Sequence, residues 1–80
     1  MKARIIVQPK RGVLDPQGKA IVHSLGELGY SGIREIRVGR SFDVELEGMG
    51  PDDARKLLDE ISRRLLANLV IEDYVVERIE

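Results

Sequence analysis

One histidine, His23, four serines and fourteen Asp and Glu residues are the side chains of this sequence that could do catalytic chemistry. None has the company that chemistry requires. A serine nucleophile needs a base within hydrogen-bond reach, and a zinc site needs several nitrogen or sulfur ligands; a lone histidine in a chain without cysteine supplies neither. The spacing of His23 from Ile21 and Leu25 puts it on the outer side of a helix, as a solvated residue. Asp52 and Asp53 read as helix-start charges, and Asp59 with Arg63 and Glu60 with Arg64 read as i,i+4 pairs on a wet helix face. No catalytic residue, metal ligand or bound cofactor is expected.

Anion binding is the chemistry that the stretch GVLDPQGKAIV, residues 12–22, raises. Lys10, Arg11 and Gly12 come just before a helix start, where free N–H groups and the helix dipole attract phosphate. The acceptor position, however, holds Asp15, a natural N-cap, and Pro16 at the first helical position has no N–H to offer. The stretch is first a helix start. Lys10 and Arg11 then become candidates for contact with a partner, as do Arg40 and Tyr74.

The elements that would position these residues follow from period and punctuation. Residues 3–8, ARIIVQ, form a β-branched run closed by Pro9. Ile21, Leu25 and Leu28 recur at helical spacing from Asp15 until Gly29. IREIRVGRSFDVELE, residues 33–47, reads as two strands about a turn at Gly39-Arg40; in the second, Phe42, Val44 and Leu46 alternate with Asp43, Glu45 and Glu47. Pro51 opens a second helix whose inner face carries Ala54, Leu57, Leu58, Ile61 and Leu65, with Asn68 as its C-terminal cap. IEDYVVERI, residues 71–79, is a last strand. The order βαββαβ predicts an α+β, two-layer, ferredoxin-like fold: a four-stranded antiparallel sheet with both helices on one face and the first and third strands central.

The other sheet face should then be bare. With Ala3, Ile5 and Val7 toward the helices, Arg4, Ile6 and Gln8 turn away. Either Val75 or Val76 joins Ile6, and Tyr74 accompanies Val76, so Ile6, Tyr74 and Val76 form an expected apolar stripe bordered by Arg37, Asp43, Glu45 and Glu47. Such a pattern suits association.

Composition agrees. Eighty residues make one domain, 1–80, which buries only about 60% of its unfolded surface and gains from a partner. A net charge of −1, with the two signs interspersed, lacks the basic excess of a nucleic-acid binder. No apolar run is long enough to span a membrane, no signal peptide opens the chain, and the absence of cysteine fits a cytoplasmic location. Two active relatives of the topology are excluded. An acylphosphatase-like enzyme needs an asparagine on the third strand, where there is none, and an RNA-recognition module needs stacked aromatic residues on its central strands. An ACT-like domain that senses small molecules remains as the alternative.

KRGVLDPQGKAI, residues 10–21, and LLANLVIEDYVVE, residues 65–77, with RVGR before the middle strand, resemble the PurS family over the length of the chain. The most specific element is Gly12-Val13-Leu14-Asp15-Pro16-Gln17-Gly18, supported by Asn68 and Ile71-Glu72-Asp73-Tyr74. Leu69 departs from the proline that often follows the asparagine in this family. The resemblance implies a small non-catalytic subunit of phosphoribosylformylglycinamidine synthase in purine biosynthesis. In such systems a PurQ-type glutaminase releases ammonia and a PurL-type synthetase consumes it. ATP, magnesium and glutamine belong to the complex; this chain would contribute a homodimer or higher oligomer that supports assembly and ammonia transfer.

Overall fold

Ala3, Ile5 and Val7 alternate along the first strand, and all three are withdrawn from water at 5, 0 and 0% exposure. They form the centre of the molecule. The computed structural model describes residues 1–80, in the order β1 (Lys2–Pro9), α1 (Pro16–Glu27), β2 (Arg40–Glu45), α2 (Pro51–Ile61) and β3 (Glu72–Ile79). β1 lies between the other two strands, antiparallel to both, so the sheet order is β2-β1-β3. Leu58 of α2 and Ala67 complete the core, with Phe42, Val44, Leu46, Ile61, Leu66, Tyr74, Val76 and Ile79 packed around it. Helix α2 covers this face because Ala54 and Leu58, four residues apart, both point inward at 0% exposure.

Three strands are present, not four. The predicted turn at Gly39-Arg40 does not form. A two-residue hairpin turn of the favoured type needs positive φ, and neither Gly39 nor any non-glycine residue has it. The chain runs straight from residue 33 into β2. Gly39 lies so close to β1 that a side-chain Cβ there would meet the carbonyl oxygen of Val7. Residues 33–39 therefore form an extended ribbon, and the only hydrogen bond their backbone makes is to a side chain: the Val38 N–H donates to the Asp15 carboxylate.

Two further departures have local causes. A π-helical turn, Ser62–Leu66, follows α2 and adds a residue to the repeat; the Ala67 N–H donates to the Ser62 carbonyl at 2.9 Å. Its extra residue turns Leu65 outward, 81% exposed, and puts Leu66 against the core in its place. Buried Ser62 satisfies its hydroxyl by donating to the Leu58 carbonyl at 2.7 Å. In β3, the pairing steps from Arg4↔Arg78 to Ile5↔Val76, so Glu77 is an unpaired bulge residue. The bulge lets Tyr74, Val76 and Ile79 all reach the helix side. Tyr74 and Val76 thus do not join Ile6 on the bare face; Val75, 54% exposed and opposite Ile6, does.

Helix α1 takes little part in this core. Gly18 is its only buried residue, and Ile21 and Leu28 are 39 and 74% exposed. The molecule is accordingly long, 51 × 25 × 15 Å, with a radius of gyration of 16.0 Å where a compact chain of this length has about 12 Å. Its accessible surface of 6102 Å² exceeds the roughly 4,900 Å² of a compact monomer of the same mass. We call the sheet with α2 the body, and α1 with the ribbon the arm.

Ile5→Asp should abolish cooperative unfolding as followed by circular dichroism, because it places a carboxylate at a fully buried site. Leu58→Ala should cost about 2–5 kcal/mol in urea titration. Ile6→Asp, on the bare face, should leave the fold intact.

Candidate interface

The arm is fastened by one carboxylate. Asp15 is extended at φ −117°, ψ 92°, and one of its oxygens accepts from the Gly18 N–H at 3.1 Å, as an N-cap should. The other accepts from the Val38 N–H at 2.8 Å, across 23 residues. The two backbone donors, Val38 foremost, hold the Asp15 carboxyl below the usual carboxylate range. Gly18 completes the fastening: a Cβ there would collide with the Ile36 carbonyl, so only glycine lets the helix lie on the ribbon. Asp15 and Gly18 are legible as a helix start, but their grip on Val38 and Ile36 leaves no local signal.

The six interface candidates do not gather into one patch. Ile6, half-buried, is flanked by Ser41 and Val75 on the bare face, beside the 2.8 Å ion pair of Arg4 with Asp43. That pairing lowers the Asp43 carboxyl. Val76 packs on the core side opposite Ile5. Tyr74 donates its hydroxyl to Asp59 of α2, which Arg63 also holds at 2.9 Å. The Tyr74 hydroxyl is pushed up and the Asp59 carboxyl down, first by that shared hydrogen bond. Tyr74 and Val76 are therefore half-buried on the helix side of the sheet, away from Ile6.

Arg40 also has internal work. It donates to the Leu66 carbonyl at 2.8 Å and to Glu72 Oε1 at 3.0 Å. The same Glu72 oxygen accepts from the Asn68 N–H at 2.8 Å, and these donors, the Asn68 N–H first, hold its carboxyl low. Asn68 does not simply cap a helix. Its side chain accepts from the Val70 N–H and its carbonyl from the N–H groups of Ile71 and Glu72, building the turn into β3. Arg40 locks that turn to the start of β2.

Lys10 and Arg11 stand on the loop between β1 and α1. The Lys10 backbone is tied to Ile71 and Val13, while its side chain has no ion pair. Arg11 lines an open hollow of about 580 Å³ with Gly32, Ile33, Arg34 and Glu35. Next to it, sharing Arg34 and Glu35, a second hollow of about 290 Å³ runs between α1 and the ribbon, with Val13, Val22 and Ile36 among its lining and Lys19 and Arg37 at its edge. No group of three His, Asp or Glu side chains is placed to hold a metal ion. His23 is exposed, 3.0 Å from Glu27. The arrangement offers surface and hydrogen-bonding edges, with no assembled reaction centre.

Known proteins match this chain over nearly its whole length. The model of one family, "PurS: Phosphoribosylformylglycinamidine (FGAM) synthase", matches residues 2–80. The phosphoribosylformylglycinamidine synthase subunit PurS of Methanocaldococcus jannaschii is 37% identical over 81 residues, covering 99% of this chain and 98% of that protein. The crystal structure of Bacillus subtilis PurS superposes with a TM-score of 0.86 at 38% identity, covering 99% of this chain and 98% of the other. A chain in the structure of PurLQS from Thermotoga maritima gives a TM-score of 0.84 at 27% identity, covering 99% of each.

The fastening of the arm has a pH signature. A carboxyl whose folded value is depressed contributes its stability above its unfolded value and loses it as pH falls. Protection of the Val38 amide, taken relative to its intrinsic exchange rate at each pH, should therefore stay high above the ordinary aspartate value of 3.8 and be lost as pH falls through the lower folded value. Asp15→Ala should give fast Val38 exchange at neutral pH while the β1 amides remain protected. Gly18→Ala should do the same by lifting the helix off Ile36.

Proposed function

The chain belongs to the PurS family, and we propose that it serves as the non-catalytic small subunit of phosphoribosylformylglycinamidine synthase in purine biosynthesis, working as a single unit over residues 1–80 in the cytoplasm. Its task is assembly: it joins a PurL-type synthetase to a PurQ-type glutaminase and supports the passage of ammonia between them. ATP, magnesium and glutamine are handled by those subunits, and this chain binds no cofactor. The likeness to a chain of the PurLQS structure supports the reading. No helix of the chain is long and apolar enough to cross a membrane.

One observation carries it: the chain folds with a surface much larger than its mass requires, and α1 contributes a single buried residue, Gly18. The excess over a compact monomer, roughly 1,200 Å², is of the size that one partner loses in a stable protein interface, about 800 Å² or more. A second copy is the first occupant. The ribbon's unpaired N–H and C=O groups form an open strand edge, which pairing with another chain satisfies. Residues 33–38 would then become the fourth strand of the ferredoxin-like sheet. The exposed apolar residues Ile21, Leu28, Tyr30 and Ile33 lie on the same arm and would be covered with it. Ile6, Lys10 and Arg11 remain as surface for the larger subunits.

Adding the chain to the synthetase and glutaminase should restore glutamine-dependent amidine formation, measured as product per time with glutamine as nitrogen donor. Equal rates with and without it would reject the role. Leu28→Asp with Ile33→Asp should shift the sedimenting mass toward one chain while the circular-dichroism signal of the body persists. Ile6→Asp should leave the homodimer intact and weaken association with the larger subunits.

A further inference from the structure

The chain is electrically divided. Residues 10–40 hold six of the thirteen Lys and Arg and three of the fourteen Asp and Glu, a net charge of +3; the other 49 residues carry −4. In the rest of the chain Arg4, Arg63, Arg64 and Arg78 each lie within 3.2 Å of a carboxylate oxygen, and Lys2, Arg55 and Lys56 do not. Within residues 10–40, Arg40 lies 3.0 Å from Glu72 and Arg37 lies 3.7 Å from Glu35, and Lys10, Arg11, Lys19 and Arg34 have no such partner. Of the carboxylates beside them, Asp15 is committed to two backbone donors and Glu35 lies 3.7 Å from Arg37.

Lys19, Arg34 and Arg37 line the hollow between α1 and the ribbon together with Asp15 and Glu35, an excess of one positive charge, and its apolar lining is Val13, Val22 and Ile36. A cationic rim around apolar residues suits a ligand with both characters. A phosphate cradle needs converging N–H groups, but here the Gly18 and Val38 donors are bound to Asp15 and Pro16 has none, so a bare anion is poorly served. The position on the helix separates this surface from the dimer surface. Successive residues turn about 100° around a helix. From the line of contact at Gly18, Ile21 and Leu28 therefore fall on one flank, Lys19 and Val22 on the other. A second copy covering the apolar flank leaves the cationic flank free.

We propose that the hollow lined by Lys19, Arg34 and Val22 is the docking site for an acidic segment, tipped by an apolar side chain, of one of the larger synthase subunits. This rests on the assembly role proposed above. The cations repel one another in the free chain; an incoming carboxylate relieves that repulsion while the apolar tip fills the hollow. Attraction of this kind weakens with salt.

The test compares the full chain with Lys19→Glu/Arg34→Glu, both exposed positions. Affinity for the larger subunits is measured by calorimetry at low and high salt, and homodimer mass by sedimentation. The wild type should bind more weakly as salt rises. The double variant should lose about tenfold in affinity at low salt, show a flatter salt dependence, and keep the homodimer mass; Arg34→Lys should retain most of the affinity. Equal affinity and salt dependence in wild type and double variant would overturn the proposal. Loss of the homodimer in the variant would overturn it too, assigning the cations to the second copy, as would stoichiometric binding of inorganic phosphate that the variant abolishes. A wild-type chain that never associates with the subunits would instead strike down the assembly role and this site with it.

Discussion

Every apolar contact of consequence in this chain is made by one face of β1. Ala3, Ile5 and Val7 meet Leu58, Ala67 and the inner side chains of both neighbouring strands, and beyond this set little is withdrawn from water. A core so small holds one helix. Helix α2 takes the place because Ala54 and Leu58 bring its backbone close and apolar onto the sheet, while α1 has Gly18 where a comparable helix would have a large side chain. What holds α1 is polar and backbone-to-backbone: the shared carboxylate of Asp15 and the approach of Gly18 to Ile36. The division into a body with a core and an arm without one follows from that difference.

Much of the body is legible in the sequence because its signals are local. Alternation places Ile5 inside and Ile6 outside, Phe42 inside and Asp43 outside, and Asp15-Pro16 and Pro51 mark the two helix starts. The misjudged features depend on information that no short window holds. Gly39 permits a tight turn, yet it equally permits the close pass over Val7 that occurs. The π turn after Ile61 and the bulge at Glu77 each insert one residue, and each moves a side chain to the opposite side from a regular count: Leu65 to solvent, Ile79 to the core. Of the interface candidates, Arg40, Tyr74 and Val76 have the right residue types for recognition but are engaged within the chain by Glu72, Asp59 and Ile5, contacts at long sequence distance. Lys10 and Arg11, read from the sequence as contact candidates, have no ion pair within the chain.

The polar network serves geometry in place of chemistry. Arg40 ties β2 to the Leu66 carbonyl and to Glu72, and Glu72 in turn caps Asn68, so the connection from α2 into β3 is braced from across the sheet. Tyr74 and Arg63 share Asp59 and clamp α2 against β3. Neither group leaves a buried polar side-chain atom unpaired. Their charges are satisfied in fixed positions, which is what a subunit needs if it is to present surfaces at constant spacing.

The arm differs, and its weakness has a thermodynamic use. Its order rests on a few hydrogen bonds, so the free energy of seating it is small and a partner that binds only the seated form stabilises it by mass action. Both flanks of α1 belong to one rigid helix lying on the ribbon along the line of Gly18. A contact that seats the apolar flank therefore also fixes Lys19 with respect to Arg34 on the ribbon, and a contact between those cations and an acidic segment also fixes Ile21 and Leu28. Such coupling is reciprocal by linkage: whatever factor one partner adds to the other's affinity, it receives in return. In a chain without a second core, the proposed assembly with a copy and assembly with a larger subunit would thus act through the same fastening at Asp15, and the stability that the small core does not supply would be made up as the complex forms.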